Sequence, residues 1–199
     1  KNHLVGRSIS TDELLGHDAV FLATGAGLPA FMGIPGENLN NVYSANEFLT
    51  RVNLMHAEAF PEFDTPVMHA ARVAVIGGGN VAMDAARVAR RLGAKVSLIY
   101  RRGEEEMPAR RAEVVHAKEE GIEFVTCANP TRILGEGCVT GIECVRMSLC
   151  EIDASGRRSP EPIRGSEVSL DVDMVIQAIG TGPNRLLVAL IPGLERGQH

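Results

Sequence analysis

Val73-Ala-Val-Ile-Gly-Gly-Gly-Asn-Val-Ala-Met-Asp-Ala-Ala-Arg-Val-Ala-Arg-Arg-Leu-Gly-Ala-Lys-Val-Ser-Leu-Ile-Tyr-Arg-Arg102 reads as strand, glycine turn, helix, strand and an arginine pair. Val73 to Ile76 are small or branched and apolar, the composition of a strand buried on both faces. Gly77, Gly79 and Ala82 fill a G-x-G-x-x-G/A frame, with Gly78 between the first two. In such a frame the first glycine permits the tight turn and the second lets the backbone approach a pyrophosphate. The small third residue lets the helix pack closely on the sheet. Gly77, Gly78, Gly79, Asn80 and Val81 therefore sit where free N–H groups and a positive dipole end meet an anion. Val81, Ala85, Val88, Ala89 and Leu92 recur at helical spacing, which predicts one buried stripe. Gly93 is placed to end the helix.

The residues after the second strand choose between two dinucleotides. A carboxylate there would bind a ribose 2′-hydroxyl, whereas an arginine accommodates a 2′-phosphate. Val96 to Tyr100 run into Arg101 and Arg102, with no carboxylate before Glu104. A guanidinium fork matches a phosphate and gains little on a hydroxyl. The expected ligand is NADPH. Arg110, beyond the Gly103–Pro108 turn, either closes the other side of that phosphate or is a solvated helix start. Asn80 is either a helix cap or a direct contact. Asp84 is free to bond a neighbouring loop.

Around this unit, Gly16 to Ala26 reads as a short apolar strand entering a glycine turn. Ser10 with Glu13, and Ser44 with Glu47, have capping-box spacing. The second box opens a helix with Phe48, Leu49, Val52 and Met55 on one face. Gly27 to Asn41, rich in Gly, Pro and Asn, is a crossing between units. Ala109 to Glu120 predicts a helix closed by Gly121, and Ile122 to Val125 a further strand. From Cys138 to Leu170 the period changes to two, with Val145, Met147 and Leu149 alternating with Arg146 and Ser148. That predicts an antiparallel meander in place of a crossover helix. Asp171 to Gly180 is a last buried strand. The expected fold is α/β and Rossmann-like, a parallel sheet with a β-meander crossover.

The chain has 199 residues, 45% of them hydrophobic, enough for a substantial core. No apolar run approaches the roughly 18 residues of a membrane span. A net charge of −5 argues against nucleic acid as the partner. The four cysteines, Cys127, Cys138, Cys144 and Cys150, contain no C-x-x-C pair and no zinc or iron–sulfur spacing. They read as buried free thiols of a cytoplasmic protein. The last three, spaced by six, would share one face of a continuous strand. The start at Lys1 and the stop after Gly193-Leu-Glu-Arg-Gly-Gln-His199 read as the interior of a longer protein.

Two strand-to-glycine endings, Ala23-Thr-Gly25 and Ala178-Ile-Gly180, bracket the dinucleotide frame. With Ile34-Pro-Gly-Glu-Asn38, Val42-Tyr-Ser-Ala45, Glu106-Met-Pro-Ala-Arg110 and Ala178-Ile-Gly-Thr-Gly-Pro-Asn184, the chain resembles the flavoprotein pyridine-nucleotide reductases built from two nested dinucleotide domains. The resemblance is closest to the small subunit of NADPH glutamate synthase, bifurcating NADPH:ferredoxin oxidoreductases and the NADPH half of dihydropyrimidine dehydrogenase. It implies a partial flavin-domain segment and crossing over 1–40, an NADPH domain over 41–185 and a return segment over 186–199. It also implies FAD in the parent protein, with its site incomplete here, and iron–sulfur clusters in the parent or a partner. The implied partners are the flavin domain and a larger catalytic subunit or ferredoxin. Gly77, Gly79, Asn80 and Val81 would line the pyrophosphate, and Ala178, Ile179 and Gly180 would pack on the cofactor through backbone. Arg185 stands where the family often has proline. No catalytic acid, base or nucleophile is implied, because hydride passes between two cofactors that the protein positions.

Two other function classes remain in view. A nucleotide-sensing domain would bind without chemistry, but it needs no flavin-domain crossings. A direct dehydrogenase would want a Tyr with Lys four residues on; Tyr43 and Tyr100 are followed at that distance by Glu47 and Glu104.

Overall fold

The computed structural model of the chain describes residues 2–183, 189–191 and 194. In chain order the elements are α1 (Thr11–Leu15), β1 (Leu28–Pro29), β2 (Val42–Ser44), α2 (Ala45–Asn53), β3 (Arg72–Ile76), α3 (Asn80–Arg91), β4 (Lys95–Tyr100), α4 (Arg111–Glu119), β5 (Glu123–Thr126), β6 (Ala128–Leu134), β7 (Gly141–Ile152), β8 (Arg158–Pro162), β9 (Val168–Asp171), β10 (Met174–Gln177) and β11 (Thr181–Gly182). Contacts divide them into two units: Lys1–Ala30 with Gly180–His199, and Phe31–Ile179. The first crossing thus falls about ten residues before the boundary expected at 40. Met32, Ile34 and Leu39 already pack on the core of the larger unit, which draws the crossing segment into it. Of the return segment, residues 189–191 and 194 are described; Asn184 and Arg185 lie outside the described residues.

In the smaller unit, Ser10 caps α1 by accepting from the Glu13 N–H, the predicted box, and β1 pairs antiparallel with β11. The strand expected over Gly16–Ala26 does not form. Its backbone finds no ladder partner among the described residues, and Phe21 is 91% exposed. An apolar run becomes a strand only when a neighbour supplies the hydrogen bonds and a face to cover.

The larger unit is built on a five-stranded parallel sheet in the order β2-β10-β3-β4-β5. Alternation along each strand sends side chains to two cores. Val73 and Val75 of β3 and Val96, Leu98 and Tyr100 of β4 face the helices, where Phe48 and Val52 of α2, the alanines of α3 and Val114 of α4 cover them. Ala74, Ile76 and Ile99 face the other way, against Ile133, Ile142 and Cys144 of an antiparallel sheet formed by β6–β9. The third layer is therefore the meander, as the period-two reading predicts.

Two details of that reading change. The buried face of α3 is Ala82, Met83, Ala85, Ala86 and Ala89, while Val81 and Leu92 are 45% and 38% exposed. The stripe is turned because the small residues let the helix axis approach the sheet, and the larger Val81 is left at the rim. The cysteines are free, but only Cys144 is buried; Cys138 and Cys150 are exposed, and Cys138 precedes β7. Burial pushes the Cys144 thiol up to about 12, so it stays protonated and unreactive. The helix layer is fastened by Arg87, which donates to Glu113 and Glu120, and by Arg91, which donates to Glu120.

Candidate functional site: a glycine cradle at the sheet's C-terminal edge

The C-terminal ends of β10, β3 and β4 lie side by side, since Gln177 is in register with Ile76 and Ile76 with Ile99. Ligands of open parallel α/β sheets bind at this edge. Immediately after Ile76 the chain makes its glycine turn, and each glycine answers a different demand. Gly77 has φ +138°, and a Cβ there would lie 2.3 Å from the Ala178 carbonyl oxygen. A Cβ on Gly78 would lie 2.7 Å from the Tyr100 ring. Gly79 has φ −90°, and nothing of the protein lies within 4 Å of where its Cβ would stand. The first two glycines are thus required by the fold itself. The third faces open space.

Gly79 caps α3, and no side chain caps the helix. Among the described residues, the N–H groups of Gly79, Asn80 and Val81 have no acceptor. Free donors at the start of a 12-residue helix form an anion-binding end. The Asn80 side chain does not cap the helix. Its Oδ1 accepts from the Arg110 N–H at 2.9 Å, and the Ala109 N–H donates to the Gly78 carbonyl at 3.1 Å. These two bonds stitch the Met107–Arg110 segment to the glycine turn and bring Arg110 beside the cradle. Asp84 points to solvent.

Arg101 and Arg110 are both exposed, and neither guanidinium has an ionic partner among the described residues. Arg110 and the exposed Arg111 stand at the first turn of α4, where positive charge opposes the helix dipole. Helix stability does not account for them; an anion would. Arg111 was not anticipated from the sequence, although its place beside Arg110 was the available signal.

Arg102 departs from the expectation. It is 5% exposed, its Nε donates to the Arg158 carbonyl at 2.8 Å, and its Nη2 is paired with the Asp153 carboxylate. A buried guanidinium must be fully engaged, and this one is spent on the β7–β8 hairpin rather than offered to a ligand. A second pair crosses the same junction: Arg158 Nε donates to Glu106 Oε1 at 2.5 Å. The Tyr100 hydroxyl donates to the Glu106 carbonyl at 2.9 Å. Arg158 holds the Glu106 carboxyl below the usual range. Asp153, Arg158 and Glu106 therefore clasp the loop that presents Arg101. Their partnership joins residues about 50 positions apart, and no local pattern signals it.

The clasp has a pH signature. The Ser155 hydroxyl and N–H, the Arg157 N–H and the Arg102 charge lower Asp153 to about 2. A depressed carboxylate contributes stability above its unfolded value near 3.9 and loses it as pH falls through the folded value. Asp153→Asn is expected to melt below the unchanged chain at pH 6, with the gap closing between about pH 4 and pH 2. Thermal melts across that range test this; a constant gap would refute it.

Ala178 and Ile179 end the larger unit, and Gly180, at φ +114°, opens the smaller one. The Ala178 N–H donates to Ile76 at 2.7 Å, so the backbone expected to face a cofactor starts at the cradle's rim. Among the described residues no three His, Cys, Asp or Glu side chains gather as a metal site, and no helix is long and apolar enough to cross a membrane.

The chain is similar to known proteins. The chain is 40% identical over 190 residues to the small chain of NADPH glutamate synthase from Azospirillum brasilense, covering 93% of this chain and 39% of that one. It is 47% identical over 184 residues to the NADPH-Fe(3+) oxidoreductase subunit beta of Geobacter sulfurreducens, covering 90% and 26%. These relatives are named as parts of multi-subunit proteins, and the chain spans less than half of either. Mycobacterium tuberculosis FprA in complex with NADPH has the same fold, with a TM-score of 0.76 at 23% identity over 90% of this chain and 54% of that one. The pyridine nucleotide-disulphide oxidoreductase family matches from residue 2 to residue 198, and the chain belongs to it.

Proposed function

We propose that the chain is the NADPH-binding module of a flavin-dependent oxidoreductase of the glutamate synthase small-subunit type. One observation carries this most: Gly79 is a glycine that neither its φ nor any protein atom near its Cβ position requires, at a helix start whose N–H groups have no acceptor among the described residues. A pyrophosphate seated there supplies both missing reasons, since its oxygens accept those hydrogen bonds and its bulk excludes a Cβ. Arg101 and Arg110 are the cations for the adenosine 2′-phosphate, with Arg111 as a third; Arg102 supports them from behind.

The residues named here bind and orient the nucleotide; none is required to move a proton. A flavin of the parent protein, when bound, supplies the hydride acceptor. The chain's share of that work is to hold the nicotinamide donor. Onward transfer to iron–sulfur centres, with a larger subunit or ferredoxin as acceptor, and a cytoplasmic setting complete the reading. Calorimetric titration of the chain with NADP+ is expected to saturate at one nucleotide per chain. Heat indistinguishable from dilution at millimolar nucleotide would reject it.

A further inference from the structure

β10 ends on a residue that does not suit its surroundings. Met174, Val175 and Ile176 are apolar and buried, and Gln177 after them is only 3% exposed. Neither its amide nitrogen nor its amide oxygen has a hydrogen-bond partner among the described residues. Its register neighbours make none with it: Ile76 is apolar, and the Ser44 hydroxyl caps α2, accepting from the Glu47 N–H at 3.2 Å. A side-chain amide brings two donors and an acceptor. Buried polar groups are nearly always paired, and an orphan calls for a functional or solvent explanation. A methionine would fill the same volume without the penalty.

The strand order identifies the missing partner. Along the C-terminal edge the sequence of strands is β10, β3, β4. The cradle follows β3, and Arg101 follows β4. On the NADPH reading, on which this inference rests, the pyrophosphate lies at the start of α3 and the 2′-phosphate lies toward β4. A dinucleotide stretched across neighbouring strand ends then lays its other half over β10, where Gln177 is the terminal residue. That half carries a carboxamide, the one group on the ring with both a donor and an acceptor.

We propose that Gln177 recognises the nicotinamide carboxamide. With no hydrogen bond holding the side chain, rotation about its own torsions carries the amide to the strand end. There the two amides pair reciprocally, each donating one N–H and accepting one. Gln177 is thereby a specificity-determining residue: it favours a ring with an intact carboxamide and limits rotation of that ring.

The test uses the chain, its Gln177→Met variant and three ligands: adenosine 2′,5′-bisphosphate, NADP+ and the 3-acetylpyridine analogue of NADP+, which lacks the carboxamide N–H. The bisphosphate is expected to bind both proteins equally. NADP+ is expected to bind the variant about tenfold more weakly, the size of one or two lost hydrogen bonds. The analogue keeps the carbonyl acceptor and lacks only the N–H donor, so it is expected to bind the unchanged chain more weakly than NADP+ and to lose less affinity in the variant than NADP+ does. Equal NADP+ affinity in the two proteins, with a higher melting temperature in the variant, would make Gln177 a mere misfit and overturn the proposal. Should the variant not fold, the unchanged chain decides alone: equal affinity for NADP+ and its analogue overturns the proposal. Failure of the bisphosphate to bind the unchanged chain would overturn the NADPH reading itself, and this inference with it.

Discussion

NADPH is expected to bind this chain about ten- to hundredfold more tightly than NADH, and Arg101→Ala is expected to remove most of that gap. The magnitude follows from charge-assisted hydrogen bonds to a phosphate, each contributing roughly 1.5–3 kcal/mol, against 1.4 kcal/mol per tenfold in affinity. Arg101 is singled out because it is exposed just after β4 and has no ionic partner among the described residues. Arg102, its neighbour, sits in the hairpin clasp. Arg102→Ala therefore has a different expected signature: it leaves Asp153 without its guanidinium, lowers the melting temperature and weakens NADPH through disorder of the loop. Arg110→Ala stands between the two, losing affinity for NADPH and not for NADH. Titrations of all three variants with both nucleotides, paired with thermal melts, separate the roles. Unchanged NADPH affinity in Arg101→Ala would remove Arg101 from the site. A stable Arg102→Ala that binds NADH normally and NADPH poorly would restore Arg102 as a phosphate ligand.

The contrast between those two arginines marks where sequence reading stops. The frame from Val73 to Arg102 announces strand, turn, helix and strand because each rests on local rules: branched residues at the sheet, glycines at the turn, Gly93 after the helix. The meander is legible for the same reason, since period two is visible in Val145, Met147 and Leu149. Which of two adjacent arginines faces solvent is not local. It depends on Asp153 and Arg158, which reach the end of β4 only after the hairpin has folded back. Gln177 is an intermediate case. A lone polar residue inside Val175-Ile176-Gln177-Ala178 is conspicuous in the sequence, but that both amide atoms lack partners is a fact of packing. The stripe of α3 differs from its periodicity because the pattern weighs Val81 and Leu92 as core formers, whereas close packing favours the alanines.

The glycines of the cradle yield the other large effect, through two substitutions that look alike in the sequence and differ in the fold. Gly77→Ala forces a Cβ to 2.3 Å from the Ala178 carbonyl oxygen at a φ of +138°, a conformation that suits glycine. Strained backbone and overpacking each cost about 1–3 kcal/mol, so a loss on the order of 3 kcal/mol or more is expected. For a chain of this size that lowers Tm by about 6–12 °C. The damage also spreads, because the Gly77 N–H donates to Ile99 at the end of β4 and the Ala178 N–H to Ile76 at the end of β3. Gly79→Val meets no protein atom within 4 Å and keeps an ordinary φ of −90°. Its cost to the fold is that of a poorer helix cap, about 1 kcal/mol. Its branched side chain instead occupies the space assigned to the pyrophosphate and moves the nucleotide off the α3 N–H groups, so NADP+ affinity is expected to fall at least tenfold in a protein that still melts cooperatively. The pair thus separates the architectural glycine from the ligand-facing one. Melting curves and NADP+ titrations of both variants decide the matter. A Gly79→Val protein that binds NADP+ as tightly as the unchanged chain would mean that the open space beside Gly79 is not where the pyrophosphate lies.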